Sequence, residues 1–141
     1  MIRVPASKPR ATRQQREAAE QAALFEWARA QAHVLPGIRL MFAIPNGAYL
    51  QGGTAQRAAQ WAKLRKQGAR PGVHDVMLPV PRGEYHGLWL EMKAPRPHHA
   101  EVSAEQQAWL VDMLAQGYQA HVCYGWIDAV AKINLYYGRE K

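Results

Sequence analysis

The chain has 141 residues, a formal net charge of +7 and a composition that is 48% hydrophobic and 21% charged. These values exclude a disordered chain and fit one globular domain with a single sizeable core. No apolar run approaches the roughly 20 residues of a membrane span and residues 1–10 lack a signal-type apolar stretch, so we expect a cytosolic protein. The lone cysteine, Cys123, excludes an internal disulfide and a multi-cysteine zinc site.

The positive charge is concentrated in the first half of the chain. Residues 1–70 hold twelve Lys and Arg against three Asp and Glu, whereas residues 71–141 hold six against eight. A one-sided positive field attracts a polyanion, because each neutralised phosphate releases condensed counterions. The distribution therefore favours a nucleic-acid partner, and the alternative is a solvated basic segment without a partner.

Residues 1–14 are predicted to be a mobile basic arm, and residues 15–141 a single domain. Strong helix formers begin at Gln14 and predict a first helix to about residue 32. Following its apolar stripe backwards from Leu24 in steps of three and four residues leads to Glu20 and Glu17. Two carboxylates of this helix are thus expected to face the core.

Seven further elements follow from hydrophobic periodicity and turn residues. In chain order they are a strand over 38–44, a helix from Thr54 to about 67, strands over 73–80 and 88–93, a helix from Ser103 to near 117, a strand over 119–124 and a helix over 126–137. The last helix is expected to face inward with Ile127, Val130, Ile133 and Tyr137. The order α-β-α-β-β-α-β-α predicts an α/β fold with a mixed β-sheet flanked by helices.

The strands over 73–80 and 88–93 are joined by a turn-rich segment and are predicted to form a hairpin. Alternate side chains of a strand share a face, so Glu91 and Lys93 stand together. Hairpin pairing would bring Asp75 beside Glu91. Two carboxylates and an amine are therefore expected at one sheet edge.

This set suits hydrolysis of a phosphodiester bond. Two close carboxylates repel each other and are best relieved by a hard divalent cation such as Mg²⁺, for which the Met92 carbonyl could supply a further oxygen. Lys93 could orient the attacking water or stabilise the charge that develops on phosphorus. The bare Glu-X-Lys pattern also occurs on many solvated edge strands, so its context has to carry the interpretation.

The sequence resembles the virus-type replication-repair nuclease (VRR-NUC) domain of the PD-(D/E)XK superfamily. The matching stretches are EAAEQAALFEW (17–27), IPNG (44–47), GARPGVHD (68–75), GLWLEMK (87–93) and SAEQQ (103–107). The resemblance implies a restriction-endonuclease-like core, Mg²⁺ or Mn²⁺ as cofactor, and cleavage of branched DNA such as a Holliday junction, flap or fork. It also implies a homodimer and a role in viral replication or repair, hence the host cell cytoplasm if the protein is viral, as in a bacteriophage.

Carried over to this chain, the resemblance makes Asp75 and Glu91 metal ligands and Lys93 the catalytic lysine. A first-helix glutamate completes the metal site, and we favour Glu17 over Glu20. Gln106 matches a helix glutamine of the family site, although a capping box with Ser103 would equally explain it. One departure is visible: His74 precedes the aspartate where the family commonly has proline, either as a plain turn residue or as a modulator of the pH response.

Contacts to DNA are assigned to the basic residues of the second helix and of the N-terminal segment: Arg57, Lys63, Arg65 and Lys66, then Arg3, Lys8, Arg10, Arg13 and Arg16. Asn46 either borders the site or only makes the Pro-Asn-Gly turn. A non-catalytic DNA-binding module and an RNA substrate stay open as alternatives. His98 and His99 have no partner at zinc-ligand spacing.

Overall fold

The computed structural model describes residues 2–4, 6–45 and 50–139. Four α-helices and four strands follow the predicted order. They are α1 (Arg13–Ala30), β1 (Phe42–Ala43), α2 (Thr54–Lys66), β2 (Val76–Leu78), β3 (Leu88–Lys93), α3 (Ala104–Ala115), β4 (Gln119–Tyr124) and α4 (Trp126–Tyr136), with a short 3₁₀ helix at Ile38–Leu40 before β1. The predicted α/β class with a mixed sheet is confirmed.

The four strands form one open sheet in the order β1-β2-β3-β4. The β1–β2 and β2–β3 pairs are antiparallel, and β3–β4 is parallel. In the β2–β3 hairpin, Val76 pairs with Leu90, so the residue before Val76 comes opposite the residue after Leu90. This register carries Asp75 to Glu91, as predicted.

The two faces of β3 pack against different parts of the domain. Leu88, Leu90 and Met92 are buried in the main core, which α1 and α4 close with residues such as Leu24 and Ile133. The opposite face turns toward α3, where the Trp89 and Trp109 rings make an edge-to-face contact at 5.2 Å. Because side chains of a strand alternate, Glu91 and Lys93 lie on the α3 side with Trp89.

Polar caps define the starts of three helices. Thr12 and Ser103 close capping boxes with Gln15 and Gln106 at the starts of α1 and α3. For α2 the cap is Gly53, whose N–H donates to Gln56 Oε1, and Thr54 is the first helical residue.

Three predicted boundaries or orientations differ in the structure. The strand expected over 38–44 is only Phe42–Ala43, because Gly37 turns the chain with a φ of 81° and the next residues close a 3₁₀ turn. The strand expected over 73–80 is reduced to Val76–Leu78. Ile127 is 70% exposed instead of inward, because α4 buries Ala129, Ile133 and Tyr136.

The described part of the N-terminal segment, residues 2–4 and 6–11, is exposed and contains no helix or strand. α1 begins at Arg13, one residue before the predicted start, so Arg13 and Arg16 belong to the helix and not to the arm. Among the described residues, no helix is long and apolar enough to cross a membrane.

Candidate active site

The candidate site lies where β2 begins and β3 ends. Asp75 immediately precedes β2, and its Oδ2 accepts a hydrogen bond from the backbone N–H of Met92 at 2.8 Å. Its carbonyl accepts from the Ile44 N–H at 2.7 Å, which ties it to the segment that follows β1. Asp75 is thus held from two sides, by its side chain and by its backbone.

The loop before Asp75 packs tightly on the start of α3. Gly72 has a φ of 87°, and a Cβ there would come within 2.4 Å of the Glu105 backbone, so only glycine permits this approach. His74 is fully buried, and its Nε2 lies 3.1 Å from the Gln106 carbonyl, to which an Nε2–H donates. His74 is therefore a buried link between the Asp75 loop and α3, which is more than a turn residue does.

Gln106 connects the catalytic candidates of β3. Its Oε1 accepts from Lys93 Nζ at 2.9 Å and from the Ser103 N–H at 2.9 Å, while its Nε2 donates to Glu91 Oε1. Lys93 Nζ also lies 3.6 Å from Glu91 Oε1. The capping box predicted with Ser103 is present, and the same carboxamide bridges Glu91 and Lys93.

Glu91 is an unusual carboxylate. It is only 3% exposed, and burial together with the nearby Asp75 carboxylate raises its pKa to about 9 despite Lys93. No described donor reaches its Oε2. Without a metal, the raised pKa of Glu91 therefore favours its protonated form at neutral pH, and a bound cation would instead favour the ionised form.

The donor set fits a hard divalent cation that keeps part of its water shell. Asp75 and Glu91 supply two acids, and the Met92 carbonyl points to the same side as its N–H, toward Asp75. Among the described residues, no group of three or more His, Cys, Asp or Glu side chains is placed to hold a metal by itself. Water would complete the shell, a habit of Mg²⁺ more than of Zn²⁺.

The two α1 glutamates diverge. The half-buried Glu17 faces a cavity of about 520 Å³, and its pKa is raised by burial and by Asp75 and lowered by Lys93. Glu20 Oε2 instead accepts from the Trp126 N–H at 2.7 Å, at the first turn of α4. The geometry brings Glu17 toward the acids and engages Glu20 elsewhere, as a cap for α4.

This cavity, called the acidic cavity here, is lined by residues of α1, of the segment after β1 and of the candidate site: Gln14, Glu17, Ala18, Gln21, Ala22, Phe25, Arg29, Ala43, Ile44, Pro45, Asp75 and Met92. Gln21 and Arg29 were not singled out as site residues from the sequence. Gln21 follows Glu17 by four residues and Arg29 follows Phe25 by four, and these i,i+4 steps along one helix are the signal that would have found them. An amide and a guanidinium beside the acids suit contacts to a phosphate backbone.

The proposed DNA-contacting side chains on α2 are exposed: Arg57, Lys63, Arg65 and Lys66. No residue of α2 is buried, so this helix stands at the periphery of the domain. The predicted Asn46 lies outside the described residues.

Comparison with known proteins identifies the family. The profile of the VRR-NUC domain matches residues 15–126. The chain belongs to the VRR-NUC family. A solved structure described as a VRR_NUC domain protein superimposes with a TM-score of 0.72 over 94% of each chain, at 20% sequence identity, which establishes a shared fold. No match was found among curated protein sequences.

The matched region of this VRR-NUC domain contains the whole candidate site. It begins in the first turn of α1, before Glu17, and ends at Trp126, the residue that Glu20 caps. The VRR-NUC family is a nuclease family, so a nuclease domain is the general assignment, with DNA as its substrate. The resemblance noted from the sequence is confirmed.

Proposed function

We propose that this chain is a Mg²⁺- or Mn²⁺-dependent endodeoxyribonuclease that hydrolyses phosphodiester bonds in branched DNA, such as a Holliday junction, flap or fork. The observation that carries the proposal is the meeting of Asp75, Glu91 and Lys93 where β2 begins and β3 ends. The Gln106 carboxamide bridges Glu91 and Lys93, and Asp75 is bonded to the Met92 N–H between them. A purely structural cluster has no need of a buried acid, Glu91, beside a second, half-buried acid, Asp75, because burying one carboxylate near another is costly.

Each residue has a definite task in this proposal. Asp75, Glu91 and the Met92 carbonyl would hold the cation, which when bound polarises the phosphate and lowers the pKa of a coordinated water. Lys93 is 4% exposed and held by Gln106, so its ammonium is fixed in place before substrate arrives. It orients the attacking water and stabilises the negative charge that develops on the phosphoryl oxygens. The water oxygen bonds to phosphorus, the bond from phosphorus to the leaving oxygen breaks, and the proton lost by the water is taken up by that oxygen.

Glu17 contributes from the wall of the acidic cavity. Glu17 and Asp75 line this same cavity, so the Glu17 carboxyl group lies near the proposed reacting centre. In the proposed enzyme it would accept a hydrogen bond from a water held by the cation. The basic residues of α2 and of the N-terminal segment supply phosphate contacts, and pairing of two chains would extend the footprint of so small a domain.

The test is cleavage of a panel of fork, flap, nicked and four-way DNA substrates with Mg²⁺, Mn²⁺, Ca²⁺ or EDTA. We expect Mg²⁺-dependent cleavage that Asp75→Asn and Lys93→Ala reduce by at least about 1000-fold. The matched control Asp112→Asn makes the same chemical change at an exposed position of α3 and should cut normally. Equal cleavage by wild type and Asp75→Asn would refute the catalytic assignment.

Two parallel measurements separate the alternatives. Calorimetric titration with Mg²⁺ that gives no heat, together with DNA binding but no cleavage, would favour a non-catalytic binding module. Faster cleavage of RNA than of DNA with the same branches would transfer the activity to RNA. Sedimentation equilibrium with and without DNA tests the homodimer.

A further inference from the structure

A second cavity of about 540 Å³ lies between α2 and the body of the domain. We name it the tryptophan cavity. Its walls come from α2, from the segments on either side of α2, and from α3: Ile44, Pro45, Leu50, Trp61, Leu64, Gly68, Ala69, Arg70, Val73 and Trp109. Its volume lies within the range of about 300–1,000 Å³ that ligand pockets occupy.

At the tryptophan cavity, α2 is not packed closely against the rest of the domain. Trp61 and Leu64, three residues apart on one face of α2, are the side chains that would normally seal this helix onto the domain. Yet Trp61 is only half-buried and Leu64 is 38% exposed. Large apolar side chains left open to water lose the stabilisation of burial, so an occupant that covers them gains it.

The chemistry of the walls favours a planar aromatic occupant. Trp109 is held edge-on by Trp89, and the Arg70 guanidinium lies 5.7 Å from the centre of the Trp109 ring. Indole faces with an adjacent guanidinium are the surfaces on which nucleobases stack. A purely aliphatic occupant would stack neither on the indole rings nor on the Arg70 guanidinium.

The surroundings carry the charge that a nucleotide requires. Arg70 lines the cavity itself, and Lys63, Arg65 and Lys66 are exposed on α2, the helix that supplies Trp61, so positive charge lies in the cavity wall and on the element that forms it. A base attached to its phosphates presents the complementary arrangement, an apolar ring beside an anionic chain.

The tryptophan cavity is also next to the candidate active site. Ile44 and Pro45 line both cavities, and Val73 precedes Asp75 by two residues. We propose that the tryptophan cavity is a subsite for one unpaired nucleobase of the DNA, close to the phosphate that is cut. This inference rests on the proposed function and deepens it, because a base can enter only after leaving its stack, as bases at a branch or single-stranded end have done.

The subsite is tested by binding in EDTA, where no cleavage occurs. The probes are an eight-nucleotide single strand with a central 2-aminopurine and a blunt duplex of the same length, compared for wild type, Trp61→Ala and Trp61→Phe. We expect wild type to quench the 2-aminopurine. Trp61→Ala should lose the quenching and bind the single strand about 5- to 100-fold more weakly, while its duplex affinity changes less than twofold. Trp61→Phe should keep most of the affinity.

Two controls keep the result interpretable. Tyr85→Ala removes a 40% exposed aromatic from the β2–β3 turn, at the far end of the hairpin, and should change neither probe. Ala69→Phe fills the cavity without removing any group and should weaken single-strand binding as Trp61→Ala does. Equal loss for single strand and duplex, or no loss in either cavity variant, would overturn the proposal. The proposal would also be overturned if the cavity variants had a lower molar mass in solution than wild type but the same DNA affinity. The occupant of the cavity would then be a second copy of the chain.

The outcome is separable from that of the nuclease proposal. If wild type cleaves DNA but Trp61→Ala binds and cuts as wild type does, the subsite is refuted and the nuclease stands. If the single strand is bound through Trp61 but no metal supports cleavage, the nuclease is refuted and a base-binding subsite stands.

Discussion

Lys93 Nζ donates to Gln106 Oε1 at 2.9 Å, and this one carboxamide also caps α3. Capping and catalysis can be separated by mutation, because Ser103 shares only the first role. Ser103→Ala should lower the free energy of unfolding by about 1 kcal/mol and leave cleavage within twofold of wild type.

Gln106→Ala should lower both the free energy of unfolding and the rate of cleavage. It leaves Glu91 and Lys93 without their shared partner, so we expect a loss of about 2–3 kcal/mol in the free energy of unfolding. Cleavage should fall about 100-fold, since Lys93 is no longer held in place. Urea denaturation and single-turnover cleavage measure the two effects, and parallel losses in Ser103→Ala and Gln106→Ala would assign Gln106 to capping alone.

The stability of the metal-free protein should fall between pH 7 and pH 9. Burial raises the pKa of Glu91 to about 9, above its value of 4.5 in the unfolded chain, so the folded state binds the extra proton. The resulting stability is complete below pH 4.5 and is lost as the pH rises through 9, by on the order of 1 kcal/mol per pH unit. The lowered pKa values of His74 and His121 act in the opposite direction, but below pH 6.5.

Thermal melting in EDTA from pH 7 to 9 measures this effect, with Glu91→Gln as the control that flattens the profile. Mg²⁺ should raise the melting temperature most at the alkaline end, because the cation binds the ionised acids. A wild-type profile as flat as that of Glu91→Gln would contradict the raised pKa of Glu91.

The two α1 glutamates should give opposite results. Glu20→Ala removes the acceptor of the Trp126 N–H and should cost about 1–2 kcal/mol of stability with cleavage changed less than twofold. Glu17→Gln should lower cleavage about 10-fold without a loss of stability, because desolvation already disfavours its ionised form. The reverse pattern in melting and kinetic assays would exchange the roles of the two residues.

Neutralising Lys63 and Lys66 to glutamine tests the basic face of α2. If both contact phosphates of a duplex, the slope of log affinity against log salt concentration should shrink by about 1.8, equally for all sequences. The control pair Arg39→Gln and Lys132→Gln makes the same change in net charge outside α2. A similar slope change in both pairs would show a general effect of charge and not a contact surface.

Hydrophobic periodicity and turn residues predicted the bounds of two strands and the register of the hairpin. Leu88–Lys93 and Gln119–Tyr124 have the bounds expected from their apolar runs, and the register that brings Asp75 to Glu91 follows from the hairpin. The strand expected over 38–44 failed because the turn at Gly37 overrides β propensity there. The spacing of Ile127 fits an apolar helical stripe. In the structure, however, α4 is rotated so that Ala129 and Ile133 are buried and Ile127 is exposed.

The candidate site could also be predicted only in part. The proximity of Asp75, Glu91 and Lys93 could be predicted from spacing, because strand alternation and strand pairing bring these residues together. Glu20 could not be separated from Glu17 in this way, since its partner is a backbone N–H 106 residues later. The tryptophan cavity was also invisible to pattern, because Trp61 looks like any core residue until α2 is seen to stand away from the core.

A peripheral helix that buries none of its side chains contributes little to folding. In the proposed nuclease, substitutions along α2 can therefore change nucleic-acid binding while the β2–β3 hairpin folds unchanged. If α2 contacts DNA as proposed, substrate preference can diverge among related chains that keep the same candidate site, and α2 is the segment to exchange in order to redirect the proposed nuclease.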